Sequence, residues 1–408
     1  MRFLRSTGLV ILIIVLSWAC GSAEDTSAGG ITVPRVVDPD LTIGLVEGDS
    51  AYLFGNVMSV VADGEGRVYV GDRIGATVRA YDSAGRFVRM IAREGGGPGE
   101  IDGWPADLAA APEGGFYVRD GARITVFSSG QDRGVADSLA AVWTLPGYGN
   151  LTTSRGRVGR LGEYYYPGGS FRPGERPRYF YVQVRDGVMA DDTLEVPDYP
   201  RLSELRPTLY RLGPSDALMI RGLSHVPFAA LPVWDVTPSG TILSSDAFSY
   251  TLIETDMHGD TMLVIRGPSS TPREIPATER ADSARALRGR LDSLRVPVDE
   301  LIGLGDGVRE GRLPAALPPL IGIHVAADAT IWVEQWPHEG QGQHRFYDVF
   351  EADGQFKERV VLRAPLRRDP APFFGSKFIV AVIADALTGV DLVVRFARTG
   401  PEDGPASR

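Results

Sequence analysis

The 408-residue chain is 43% hydrophobic and 23% charged, enough to bury a large core in one β-fold or in two or three domains. A formal net charge of −10 and a pI near 5.2 leave no basic field of the kind that draws nucleic acid or an anionic membrane surface, so neither is expected as a partner. The single cysteine, Cys20, excludes an intramolecular disulfide, and only Lys357 and Lys377 among the 42 basic residues are lysines, a bias that carries no functional weight by itself.

The chain opens with basic Arg2 and Arg5, followed by the unbroken apolar run Leu9 to Leu16 and then Ser17-Trp18-Ala19-Cys20. A membrane-spanning helix needs about 20 apolar residues, and this run stops well short of that, so the segment reads as an export signal. The junction resembles a bacterial lipobox in which Cys20 becomes the acylated first residue, with Leu16 one place further upstream than usual and bulky Trp18 at a position that normally holds a small residue. Simple cleavage after Ala19 is the alternative. Residues 20–40 are mostly small and polar and suit a flexible tether.

The first β-unit follows. Ser59 to Ala62, Arg67 to Val70, Thr77 to Tyr81 and Arg86 to Ile91 form four short strands separated by Asp63-Gly64-Glu65-Gly66, a loop opened by Asp72, and Asp82-Ser83-Ala84-Gly85. Gly66, Asp72, Thr77, Asp82 and Gly85 recur in the same register as Gly240, Asp246, Thr251, Asp256 and Gly259, which marks a repeat architecture. Further copies are expected at Leu108 to Phe127, at about 150 to 196, at Val233 to Ile265 and at Ile321 to Phe350. An incomplete sixth holds Lys377 to Ile383 and Val390 to Phe396. A propeller ring must close to remove exposed strand edges, and Leu41 to Val46 is the natural donor of the missing strand.

One segment breaks the β pattern. From Thr278 to Arg295, Ala281, Ala284, Leu287, Leu291 and Leu294 recur at three- and four-residue spacing, predicting an amphipathic helix between the fourth and fifth units. In a propeller the crossings between blades and the loops joining second to third strands share one face, so this helix is expected to cap that face.

Val60-Val61-Ala62-Asp63-Gly64-Glu65-Gly66-Arg67-Val68-Tyr69-Val70-Gly71-Asp72, then Val78 to Gly85 and Gly95-Gly96-Gly97-Pro98-Gly99-Glu100, resemble the NHL-like six-bladed β-propeller lipoproteins of bacterial envelopes. The resemblance spans about residues 41–400 and implies an all-β six-bladed propeller at the cell envelope, held to the membrane through a lipid anchor only. It implies no catalytic residues. The expected organisation is a signal peptide over 1–19, a tether over 20–40, the propeller over 41–400 with a helical insertion at 276–300, and a disordered tail at 401–408.

Candidate sites were weighed against plainer roles. Gly95 to Glu100 lacks the Gly-Lys-Ser/Thr and the helix start of a phosphate loop, and reads as a crossing between blades. Asp72, Asp120 and Asp246 end equivalent second strands, where a short carboxylate caps loop amides; a cation-holding ring of acids is the rival reading. Of the five histidines, His225, His258, His324, His338 and His344, no pair has zinc-helix spacing. Neither a Gly-x-Ser-x-Gly elbow nor a Ser-x-x-Lys motif occurs.

The positional hint is a set of loop residues assigned by topology to the capped face: Arg73, Arg93, Arg123, Arg172, Arg176, Arg178, Arg201, Arg206, Tyr210, Trp336 and His338. Arginines and aromatics together can grip a small anionic or sugar-like ligand or an envelope protein. The expectation is therefore a monomeric binding or scaffold module without a cofactor. The alternative is a lyase- or lactonase-like propeller enzyme with a divalent metal at its channel mouth.

Overall fold

The computed structural model describes residues 33–112, 114–129, 136–145, 155–170, 178–199, 209–211, 218–220, 227–268, 273–293, 313–337 and 344–398. The signal segment, Cys20, the tether up to residue 32 and the tail lie outside them. Two short strands come first, β1 (Arg35–Val37) and β2 (Leu41–Ile43). Blade one is β3 (Val57–Ala62), β4 (Val68–Asp72), β5 (Thr77–Tyr81) and β6 (Phe87–Ala92), and blade two is β7 (Asp107–Ala110), β8 (Phe116–Asp120), β9 (Arg123–Ser129) and β10 (Ala136–Thr144). Blade three is β11 (Arg157–Val158), β12 (Tyr164–Ser170), β13 (Arg178–Arg185) and β14 (Val188–Glu195). A small hairpin, β15 (Leu209–Arg211) with β16 (Leu218–Ile220), precedes blade four, which is β17 (Val233–Val236), β18 (Ile242–Ser245), β19 (Thr251–Thr255) and β20 (Thr261–Arg266). Helix α1 (Ala277–Ser293) leads to blade five, β21 (Gly322–Val325), β22 (Ile331–Gln335), β23 (Arg345–Phe350) and β24 (Phe356–Leu362). Blade six holds β25 (Phe373–Phe374), β26 (Phe378–Ala384) and β27 (Asp391–Ala397), and β2 supplies its outermost strand.

The ring is closed by both chain ends. Leu41, Thr42 and Ile43 pair antiparallel with Arg395, Val394 and Val393, which is the closure that the incomplete sixth repeat predicted. Two features depart from expectation. Arg35–Val37, assigned to the tether, form β1 and pair in parallel with Val360–Leu362, making blade five five-stranded. Blade six also has an inner strand, Phe373–Phe374, paired with Val380 and Ile379.

Burial explains why these segments are strands. Second strands such as β4, β8 and β18 are buried at every position, because each lies mid-sheet and is covered on both faces by neighbouring blades. Outer strands such as β6 and β20 are mostly exposed. The core is correspondingly divided into six apolar clusters, one at each blade interface. The last joins Ile43, Val380, Val382 and Val393 of blade six to Val57, Val60, Val68 and Tyr81 of blade one. Burying such side chains stabilises by roughly 1.5–3 kcal/mol each, so each interface supplies many times the stability a single polar contact can add.

Polar side chains, three of them on inner strands and Asp391 at the start of β27, then lock neighbouring blades in register. Asp391 accepts from Val57 N at 2.8 Å, Ser59 from Leu108 N at 2.9 Å, Asp107 from Gly156 N at 2.6 Å, and Asp235 from Val325 N at 2.9 Å. Between blades three and four the link is the ion pair of Arg157 with Asp235, at 2.5 and 2.9 Å.

The repeated residues have repeated jobs. Asp82 accepts from the amides of Ala84 and Arg86 as Asp256 does from His258 and Asp260, and the glycines ending these turns have φ of 77° and 82°. Asp72 accepts from the amides of Gly55, Asn56 and Ile74, Asp120 from Asp102 N, and Asp246 from Phe248 N and Ser249 N, so all three cap loops.

Candidate functional site

The predicted loop residues do not act as one group. Arg73 lies over the ring of Trp104 at 4.9 Å, Arg93 stands 3.8 Å from Glu100, and Arg123 donates to Asp120 at 2.6 Å and to the Glu100 carbonyl at 2.7 Å. These three gather on the crossing between blades one and two, where each already has a neighbour to satisfy it. Arg178 pairs with Glu195 on its own blade at 2.7 Å. Arg172, Arg176, Arg201, Arg206 and His338 fall outside the described residues. Tyr210 lies in β15, with its side chain outside them.

Trp336 is different. It sits just beyond β22, on the crossing face, and walls a cavity of about 370 Å³ with Phe228, Leu231, Leu320, Ile321 and Arg368, while α1 contributes Ser283 and Ala286. A volume of that size lies within the range of small-molecule sites. The helix fits because Ala284 and Leu287 are buried beneath it, and small Ser283 and Ala286 leave the space open. Its leading segment is tied down by Ile275 N to the Ala315 carbonyl, at 2.7 Å, and by the Arg273 guanidinium to the Pro337 carbonyl.

The walls combine aromatic faces with one cation. The rings of Phe228 and Trp336 are 6.4 Å apart, and the Arg368 guanidinium lies 5.6 Å from the Trp336 ring centroid, within cation–π range. Burial lowers the pKa of Arg368 and the Glu334 carboxylate works the other way, yet an arginine stays cationic at physiological pH. Phe228 has φ of 64°, a left-handed conformation rare for a bulky residue, and such strain concentrates at functional sites. Trp336 Nε1 is buried and finds no hydrogen-bond acceptor among the described residues.

Of the other histidines, His225 falls outside the described residues, His344 has a buried Nδ1 with no hydrogen-bond partner among them, and His324 and His258 serve packing and a turn. His324 stacks on Phe374 with centroids 4.6 Å apart, and its Nε2 stands 3.7 Å from Glu334, longer than a hydrogen bond. Burial works to raise the Glu334 pKa, but His324 and the Arg345 guanidinium together hold that carboxyl below its ordinary range. His258 lies in the turn after β19. Among the described residues, no group of three or more His, Cys, Asp or Glu stands close enough together to hold a metal ion.

Sequence reasoning located Trp336 and α1 and missed Phe228 and Arg368. Both lie on crossings without periodicity. The only trace in the sequence is Arg368 in Arg367-Arg368-Asp369-Pro370, and nothing there singles it out from the other arginines.

No protein-family model matches the sequence, and no curated protein is similar to it in sequence. Among solved structures, the chain is similar to virginiamycin B lyase from Staphylococcus aureus, with 10% identity and a TM-score of 0.38 over 87% of this chain and 98% of that one. It is also similar to regucalcin, a calcium-binding protein from Agrobacterium tumefaciens, with 11% identity and a TM-score of 0.40 over 89% and 95% of the two chains. The six-bladed ring itself rests on strand pairing: six sheets in cyclic order, the last completed by β2, make this chain a six-bladed β-propeller with one helical insertion.

Proposed function

We propose that the protein is an exported, lipid-anchored propeller of the NHL-like envelope type that binds a small ligand beneath α1. The ligand joins an anionic group to an apolar or sugar-ring face. The arrangement of Arg368 against Trp336 at the edge of the 370 Å³ cavity carries this reading. Trp336 offers a flat face for stacking, Phe228 and Leu320 exclude water, and Arg368 supplies the charge that fixes the anionic end. Export and the anchor rest on the apolar run before Cys20 and on the resemblance of the first repeat to envelope lipoproteins.

The test is calorimetry on the mature protein against a panel of aromatic carboxylates and acidic sugars, with the uncharged amide of each as control. Charged members are expected to bind, and Trp336→Ala and Arg368→Ala each to weaken them tenfold or more. Binding that is equal for acid and amide, or untouched by both substitutions, sinks this assignment. Mass spectrometry of the native N-terminus decides the anchor, since an unmodified Cys20 removes it.

A further inference from the structure

The channel through the ring holds a second arrangement, which shares no lining residue with the cavity under α1. A chamber of about 80 Å³ among the inner strands and a vestibule of about 270 Å³ have Arg155, Arg157, Asp235 and His324 in common. Three of these are accounted for. Arg157 is paired with Asp235, and the ring of His324 is stacked on Phe374, although its Nε2 finds no hydrogen-bond partner among the described residues. Arg155 is the exception among the charged groups: Nη1 donates to the Pro372 carbonyl at 3.1 Å, while Nη2 is shut away from solvent and finds no acceptor among the described residues.

The local charge does not balance. Arg119, Arg155 and Arg157 bring three positive charges, and the buried carboxylates among them, Asp107 and Asp235, bring two negative ones. Asp369 also acts on Arg155, but it is exposed and screened by water. Burial pushes the Arg155 pKa down, to about 10, with Asp107 opposing it and the Arg157 charge adding to it, so the group is still a cation at neutral pH. A buried cation without a counter-charge is costly, and a buried donor without an acceptor adds to that cost. Both costs are relieved by one small acceptor of charge −1. A dianion is disfavoured, because Asp107 and Asp235 already stand beside the site and only one positive charge is in surplus.

We propose that the upper channel is a binding site for a small singly charged anion, either a halide ion or the carboxylate of a larger molecule, seated on Arg155. The vestibule admits the second kind, since Tyr181 and Trp234 on its wall offer faces for the body of such a molecule.

The experiment is thermal unfolding of the full mature chain in titrations of chloride, acetate and sulfate at matched ionic strength. The expected result is a saturable rise in melting temperature with chloride, acetate or both, beyond any rise given by sulfate, because a ligand bound only to the folded state shifts unfolding by mass action. A rise with both assigns a general seat for a monoanion; a rise with acetate alone assigns a carboxylate. Arg155→Met tests the residue. It is expected to abolish the saturable rise and, in anion-free buffer, to melt at or above the wild-type temperature, since a cation without a counter-charge has been removed. A purely structural arginine would give the reverse, a lower melting temperature with the anion response intact. Should Arg155→Met not fold, wild-type crystals soaked separately in bromide and in 4-bromobenzoate give the same decision: bromide against the guanidinium, or bromobenzoate with its carboxylate there, supports the site, and neither at saturation overturns it. A wild type that responds equally to all three salts overturns it as well, leaving hydration as the role of the chamber.

Discussion

Arg395, on the third strand of blade six, clasps Asp40, the residue before the closing strand, with Nη2 2.5 Å and Nε 3.1 Å from Oδ2. The same guanidinium donates through Nη1 to the carbonyls of Gly66, at 2.6 Å, and Ser83, at 3.0 Å, and lies over Phe378. One side chain thus joins the N-terminal strand, both hairpin turns of blade one, and blade six. Arg395→Ala removes charge-assisted hydrogen bonds at that junction and is expected to cost about 2–3 kcal/mol. Ile43→Ala, which opens a hole in the apolar cluster beside it, is expected to cost about 2–5 kcal/mol. Urea unfolding measures both, and deletion of residues 41–50 should abolish the cooperative transition. A deletion that melts like the wild type would mean that the ring does not need this strand.

The repeated glycines separate backbone strain from packing. Gly240 and Gly259 have φ of 79° and 82°, but a Cβ on Gly240 would stand 2.1 Å from Tyr165 Oη, whereas one on Gly259 meets nothing within 4 Å. Gly259→Ala is expected to cost about 1 kcal/mol for the left-handed backbone alone. Gly240→Ala should cost about 1–3 kcal/mol more, because Tyr165 of the neighbouring blade must move. Equal unfolding midpoints for the two variants would refute this account of the turn.

Asp235→Ala strips Arg157 of its partner and leaves Val325 N without an acceptor. Arg157 retains 27% of its side-chain exposure, so the expected loss is at the lower end for a broken buried pair, about 3 kcal/mol. Replacing both residues should recover part of it. A double-mutant cycle reads the coupling directly, and a coupling near zero would show that each contact acts alone.

Alkaline conditions test the buried tyrosines. Burial raises Tyr165 and Tyr181 to about 12, with the Glu163 carboxylate adding to the effect at Tyr165 and the Asp235 carboxylate at Tyr181. An unfolded tyrosine ionises near its ordinary value of 10. The stability these groups contribute is therefore complete below pH 10 and is lost as the pH rises from 10 to 12, because the folded state holds its protons longer. Tyr181 should account for up to about 1.4 kcal/mol per pH unit in that window, and Tyr181→Phe should flatten the slope by that amount. Urea midpoints between pH 9 and 12 provide the check.

Sequence carried the ring because its turn chemistry is local. Asp82 with Gly85, and Asp256 with Gly259, solve the same hairpin within four residues, so the solution repeats visibly. β25 escaped notice because two residues have no period, and β1 because Arg35–Val37 finds its partner at Val360–Leu362, at the other end of the chain. For the site, Trp336 and α1 stood out as departures from the repeat. Arg368 and Phe228 did not, since what singles them out is the ring and cavity they face. Within the arginine set, Arg123 and Arg178 are paired with Asp120 and Glu195, which a residue count cannot reveal.

Blade six takes one strand from residues 41–43 and the rest from 373–397. Leu41–Ile43 therefore have no partner until residues 393–395 have been made, and the last interface waits on them. Ring closure is thus a long-range step, the meeting of strands from the first and last segments of the fold. The clasp of Arg395 on Asp40 is made only at that meeting, so it marks the finished ring and is absent from any open form.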